Sequence, residues 1–220
     1  MFDNYILILQ CVTIITGLFC LWRKGPVLLW IILTITIVAL VNEHILVGNV
    51  KGWWDISRNV FYNLYALLDI TAWSAVLILI FRGNLLLKIL VAIFWCCLIT
   101  VQVHEMAARG MNILCISSLT WFCVGCILFS TVYFTTVLKA AYYDLKKQFA
   151  FWICCASFCF HSVLLVNLLT VSNSQYWLND FATITFDILQ FIALTFYNLF
   201  ICIAFILAFY KSRHNSSQTL

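Results

Sequence analysis

Seven ionisable side chains sit within, or at the ends of, long apolar stretches of this chain: Glu43, His44, Asp69, His104, Glu105, His161 and Asp187. Asn63 and Gln190 accompany them. Carboxylates interleaved with histidines suit two kinds of chemistry. Imidazole nitrogen and carboxylate oxygen hold divalent metals such as zinc, and Glu43, His44, His104, Glu105 and His161 are the candidate ligands. The same residue types build a proton-sensitive polar network, or a ligand site, because His titrates near neutral pH. Asn63, Asp69, His161, Asp187 and Gln190 are the candidates for that role. An Asp at the centre of a bilayer costs about 2.5–3.5 kcal/mol on insertion scales, so a buried one is a functional candidate by default. Glu43, His44, His104 and Glu105 close the ends of their stretches, where a headgroup layer accommodates charge with no special role.

The elements that carry these residues are apolar helices. Hydrophobic residues make up 65% of the 220 and charged residues 9%, against about a quarter charged in a soluble domain. A bilayer core requires about 20 apolar residues per helix. Spans are expected at Tyr5–Trp22, Val27–Val47, Asn59–Phe81, Leu85–His104, Asn112–Leu138, Phe149–Thr170 and Phe181–Tyr210. Turn chemistry separates them: Arg23-Lys24-Gly25-Pro26, Arg82-Gly83-Asn84 and Ser172-Asn173-Ser174-Gln175. The first span lacks the basic n-region and cleavage site of a signal peptide and is expected to remain as a helix. The fold class is thus all-α, a polytopic seven-transmembrane-helix bundle. One domain covers residues 1–210, and a short polar tail, 211–220, is expected to be disordered.

Basic residues orient the bundle. Arg23, Lys24, Arg82, Lys88, Lys139, Lys146, Lys147, Lys211 and Arg213 fall on one side, and Lys51, Arg58 and Arg109 on the other. The positive-inside rule then places the N-terminus outside and the C-terminus in the cytoplasm of a multi-pass cell-membrane protein. The net charge of +4 reflects this topology and contact with the lipid bilayer, not nucleic-acid binding. In this frame all seven ionisable residues occupy the outer half, on five helices. Asp69 lies about ten residues into the third span and His161 about twelve into the sixth. An outward-facing polar pocket is expected, rather than a channel.

The eleven cysteines fall in or beside the spans. No exterior loop holds a pair that an oxidising compartment would join. Cys123-Val124-Gly125-Cys126 has CxxC spacing but sits mid-span, so these residues read as small packing groups. Trp53-Trp54 and Tyr176-Trp177 on exterior loops read as interfacial anchors, or as a lid over the pocket. The basic stretch Lys139–Lys147 could meet a cytoplasmic signalling partner. Phe61-Tyr62-Asn63-Leu64-Tyr65 echoes Phe196-Tyr197-Asn198-Leu199-Phe200, but the two lie at different depths and do not make an internal repeat.

Several functional classes can be weighed on these residues. A retinal protein needs a Schiff-base lysine in its last helix, and Phe181–Tyr210 has no Lys. A small-solute transporter breaks helices with Gly and Pro at its midplane, whereas the single proline, Pro26, is in a loop. With His44, Asp69 and His161 the chain is similar to intramembrane zinc hydrolases of the alkaline-ceramidase and adiponectin-receptor type. That resemblance implies a zinc-dependent lipid hydrolase. The chain departs from them in having no His in its last span, and Ala108 stands where HExxH would place a second His after His104-Glu105.

Asn63-Leu64-Tyr65 followed by Asp69, with Phe151-Trp152-Ile153 opening the sixth span, resembles a group of small uncharacterised seven-helix membrane proteins of Bacteroidota. Where such proteins neighbour histidine kinases, the resemblance implies a signalling accessory role. The expected function is an integral membrane sensor or receptor-like module for a small-molecule or lipid ligand. A metal-dependent lipid hydrolase is the alternative.

Overall fold

Lipid offers no hydrogen bonds, so a chain this apolar satisfies its backbone within each segment, and the helix does this residue by residue. A computed structural model describes residues 3–22, 25–46, 58–139, 148–173 and 180–217, and the side chains of all but some residues at the ends of these segments. Among the described residues the fold is all-α, with seven helices. They are α1 (Asp3–Leu21), α2 (Val27–Leu40, extended by a π-helical turn Val41–Leu46), α3 (Arg58–Ile80), α4 (Leu85–Arg109), α5 (Ile116–Lys139), α6 (Phe149–Asn173) and α7 (Asp180–Ser217).

Six of these are long and apolar enough to cross a membrane, which marks the chain as a membrane protein. The exception is α2, whose apolar stretch Val27–Glu43 is shorter. At 1.5 Å per residue it falls a few ångströms short of a bilayer core of about 30 Å. Hydroxyls on the outer faces are satisfied by their own helix. Thr16, Thr34, Thr71, Thr100 and Thr131 each donate to the carbonyl four residues back, at 2.8–2.9 Å. Phe19, Ile93, Trp121 and Leu128 stand exposed on the outside of the bundle, a surface suited to acyl chains.

Each helix packs on its neighbours in sequence, α7 returns to α1, and α3 also touches α5. The core includes Leu29, Ile32, Ile70, Trp73, Trp95, Phe122, Ile153, Ile201 and Phe205, all at 2% exposure or less. Small residues let backbones approach. A Cβ on Gly17 would lie 2.8 Å from Leu33 Cδ1 and 2.9 Å from Phe205 Cε2, and one on Gly125 would collide with the Phe94 ring.

The breaks follow the expected turn chemistry, with differences at the ends. Pro26 precedes α2, and Asn84 caps α4 by accepting from the Leu87 N–H at 3.1 Å. Gly110 ends α4 at φ +84°, a conformation natural to glycine. Helix α5 begins at Ile116 rather than Asn112, because Met111–Cys115 form a connection, buried at Cys115 and exposed at Met111 and Ile113, whose apolar side chains read as span. Helix α7 continues through 211–217 where a disordered tail was expected, since Lys, Ser and Arg sustain a helix once it has left the hydrocarbon. Gly48–Ser57, which contains Trp53 and Trp54, lies outside the described residues, as do Tyr176, Trp177 and the basic loop at 140–147.

Candidate functional site

On α3, Tyr65, Asp69 and Trp73 recur every four residues and so share one face. That face lines a cavity of about 60 Å³, together with Gln10 of α1, Thr36 of α2, His161 of α6, and Tyr197 and Asn198 of α7. The volume would hold on the order of four waters.

His161 is 1% exposed. Its Nδ1 lies 2.7 Å from the Ser157 carbonyl oxygen, which can only accept, so Nδ1 carries the proton. In the neutral ring this leaves Nε2 a bare acceptor, and Nε2 has no hydrogen-bond partner. Ring edges hold the imidazole in place: Trp73 at 5.5 Å, Phe122 at 5.1 Å and Phe160 at 5.3 Å between centroids.

Two further acceptors share the cavity. Asp69 Oδ1 is shielded and unpartnered, and so is Gln10 Oε1; the Gln10 side chain is 7% exposed. Of the other polar lining residues, Thr36 and Asn198 are occupied, and Tyr65, Trp73 and Tyr197 bring O–H and N–H groups to the same lining. Thr36 donates to the Ile32 carbonyl at 2.9 Å. Asn198 donates to the Leu194 carbonyl at 2.9 Å, and its Oδ1 lies 2.9 Å from Thr13 Oγ1, a bond that joins α1 to α7. Gln10, Asp69 and His161, each with an unpartnered acceptor atom, thus meet from three helices at the lining of one small space, and no Lys or Arg is among its described lining residues.

Of the expected site residues, Asp69 and His161 come together here. Asn63 does not. It is fully buried, and its Nδ2 donates to the Met111 and Ile113 carbonyls at 3.0 and 2.8 Å while its Oδ1 accepts from the Cys115 N–H at 3.1 Å. Its amide is a clamp on the α4–α5 connection. Gln190 is exposed on α7. The side chains of Asp187 and His44 lie outside the described residues.

The outer residues proposed as metal ligands differ in exposure. Glu43 and His104 are exposed, whereas Glu105 is buried. His104 is turned to the outside of α4 and Glu105, about 100° round the helix, to its buried side. Glu105 accepts from the Ser118 N–H at 3.3 Å, which places its carboxylate at the positive end of α5. The Ser118 hydroxyl bonds to Gln102 Oε1, and Gln102 reaches the Asn63 carbonyl at 3.3 Å. This outer network ties α3, α4 and α5 together with its atoms mutually satisfied.

Among the described residues no group of three or more His, Cys, Asp or Glu could hold a metal ion. Asp69 and His161 supply two donors, fewer than the three protein ligands of a catalytic zinc, so this donor set does not fit the implied group. All eleven cysteines are free thiols. Cys115 stands immediately before α5, yet burial and then the Glu105 carboxylate push its thiol above the ordinary range, outweighing Arg109.

Gln10, Tyr197 and Asn198 join the site without standing out in the sequence: Gln10 and Asn198 are amides inside spans, which commonly serve as helix-to-helix glue, and Tyr197 is one aromatic among many. No protein-family model matches the chain, and comparison with curated proteins and with solved structures finds no match.

Proposed function

We propose that the protein is a seven-span receptor-like module of the cell membrane whose inner cavity binds the ammonium group of a small ligand. The observation that carries this reading is the convergence of His161 Nε2, Asp69 Oδ1 and Gln10 Oε1, all unpartnered, on one space. A primary ammonium has three N–H donors and one positive charge. It would satisfy all three acceptors and neutralise Asp69, and both needs grow with burial. Water could supply the donors but not the charge.

The signal would travel by packing. A ligand in the cavity bears on Trp73 and on His161; the His161 ring meets Phe122, and Phe122 packs on Trp95 at 5.5 Å. Occupancy would thereby bias how α3, α5 and α6 sit together, provided the ligand binds one packing arrangement better than another. With the N-terminus outside, the helix ends after α5 and α7 face the cytoplasm, and a partner there would read the shift.

Methylammonium and tetramethylammonium separate this reading from general cation binding. They carry the same charge, but the second has no N–H. In nanodiscs of phosphatidylcholine, methylammonium should raise the melting temperature and tetramethylammonium should not. Saturation at a hundred times Kd would add about 2.7 kcal/mol. Asp69→Asn and His161→Phe should each remove the effect. Equal shifts with both cations, or none with either, would reject the site.

A further inference from the structure

A second space meets the same aspartate from the other side. Between α2 and α3 runs a groove of about 300 Å³, walled by Trp30, Thr34 and Ile35 on one helix and by Leu68, Asp69 and Ala72 on the other. Its α3 wall follows helical spacing, with Tyr65, Leu68, Asp69 and Ala72 on one face. The groove opens on the outside of the bundle, since Trp30 is 41% and Leu68 58% exposed. Ile35, Tyr65 and Asp69 line both the groove and the inner cavity. These three side chains are the partition between a hydrocarbon-facing slot and a polar interior.

Apart from Asp69 and Tyr65 the walls are nearly all apolar, because the Thr34 hydroxyl is turned back to the Trp30 carbonyl at 2.9 Å. Its volume reaches the lower end of ligand pockets, about 300–1,000 Å³. An apolar slot ending at an acidic group, with acceptors behind it, fits one kind of occupant.

We infer that the ligand is a hydrophobic primary amine that arrives through the bilayer and lays its alkyl body in the α2–α3 groove while its nitrogen passes Asp69. This rests on the cavity reading above and adds the route and the apolar half of the ligand. The uncharged free base dissolves in hydrocarbon, so such a molecule reaches the groove without crossing water. At Asp69 the free base takes the proton of the carboxylic acid, giving an ammonium that donates to Oδ1 of the carboxylate so formed. Charge complementarity selects an amine over a fatty acid, and the open side of the groove accepts a chain longer than the cavity could enclose.

Photolabelling decides the matter. Dodecylamine bearing a diazirine at its far end is irradiated with the protein in phosphatidylcholine nanodiscs, and labelled peptides are mapped by mass spectrometry. Label should concentrate on the α2 and α3 peptides that wall the groove and be competed by plain dodecylamine. It should be lost in Leu68→Trp and Ala72→Phe, which fill the slot. Both variants should keep the methylammonium shift, which also shows that they fold; Leu68→Trp, altering an exposed side chain, is the safer of the two. Label spread evenly over all outward-facing helices, or unchanged in Leu68→Trp, would overturn the groove and leave the cavity standing. Absence of the methylammonium shift in the wild-type protein would remove the cavity, and this inference with it.

Discussion

At the scale of single residues, two side chains that look alike in the sequence do different work. Asn63 and Asp69 are both polar residues within the same apolar helix. Asn63 has its whole amide engaged by backbone, whereas Asp69 Oδ1 has no partner. Replacing Asn63 with Ala would strand the Cys115 N–H and two carbonyls. At about 1–3 kcal/mol for an unsatisfied buried group, and with water able to reach part of the connection, the loss should total about 2–4 kcal/mol. Thermal unfolding would show a lowered midpoint, while methylammonium should still stabilise the variant. Asp69→Asn should behave in the opposite way, folding well and no longer responding. Composition identifies both residues as polar in an apolar setting. Only the partner, some 50 residues away in sequence for Asn63, distinguishes a clamp from a site.

At the scale of elements, the helices were legible because a long apolar run needs no periodicity to be recognised. All seven expected spans correspond to helices, and the errors fall at their ends. Asn112 reads as helical because Ile113, Leu114 and Cys115 are as apolar as the span that follows; the positive φ of Gly110 and the Asn63 clamp make them a connection instead. The site was half legible for a related reason. Charge in a span signals itself, as at Asp69 and His161, whereas Gln10 and Asn198 give no sign of which face they occupy.

Packing between elements sets its own test. Phe205 and Leu33 are buried to 1% or less and cannot yield to a methyl group on Gly17. Gly17→Ala should therefore cost about 1–3 kcal/mol by overpacking the α1–α2–α7 junction. Gly83, with nothing within 4 Å of its Cβ position, is the control: Gly83→Ala should change stability by no more than about 0.5 kcal/mol.

At the scale of the molecule, orientation is a separate prediction from fold, because a bundle packs equally well either way up. The basic residues decide it through insertion, not through contacts. A C-terminal epitope should be detected only after cells are permeabilised, and one placed before Met1 should be detected on intact cells. The reverse pattern would turn the basic ends of α5 and α7 outward and remove the cytoplasmic readout, while the cavity and its ammonium test would be unaffected.

The pairing of α1 with α7 has a consequence for biogenesis. Helices that contact their sequence neighbours can associate as they leave the translocon, but the Thr13–Asn198 bond joins residues 185 apart. Until the final helix is inserted, α1 offers the bilayer a face built for a partner not yet synthesised, and the cavity lacks a wall. The cavity therefore comes into existence only once α7 has been inserted. A prematurely terminated chain would present Gln10 to lipid, a mark by which membrane quality control could distinguish it from the finished protein.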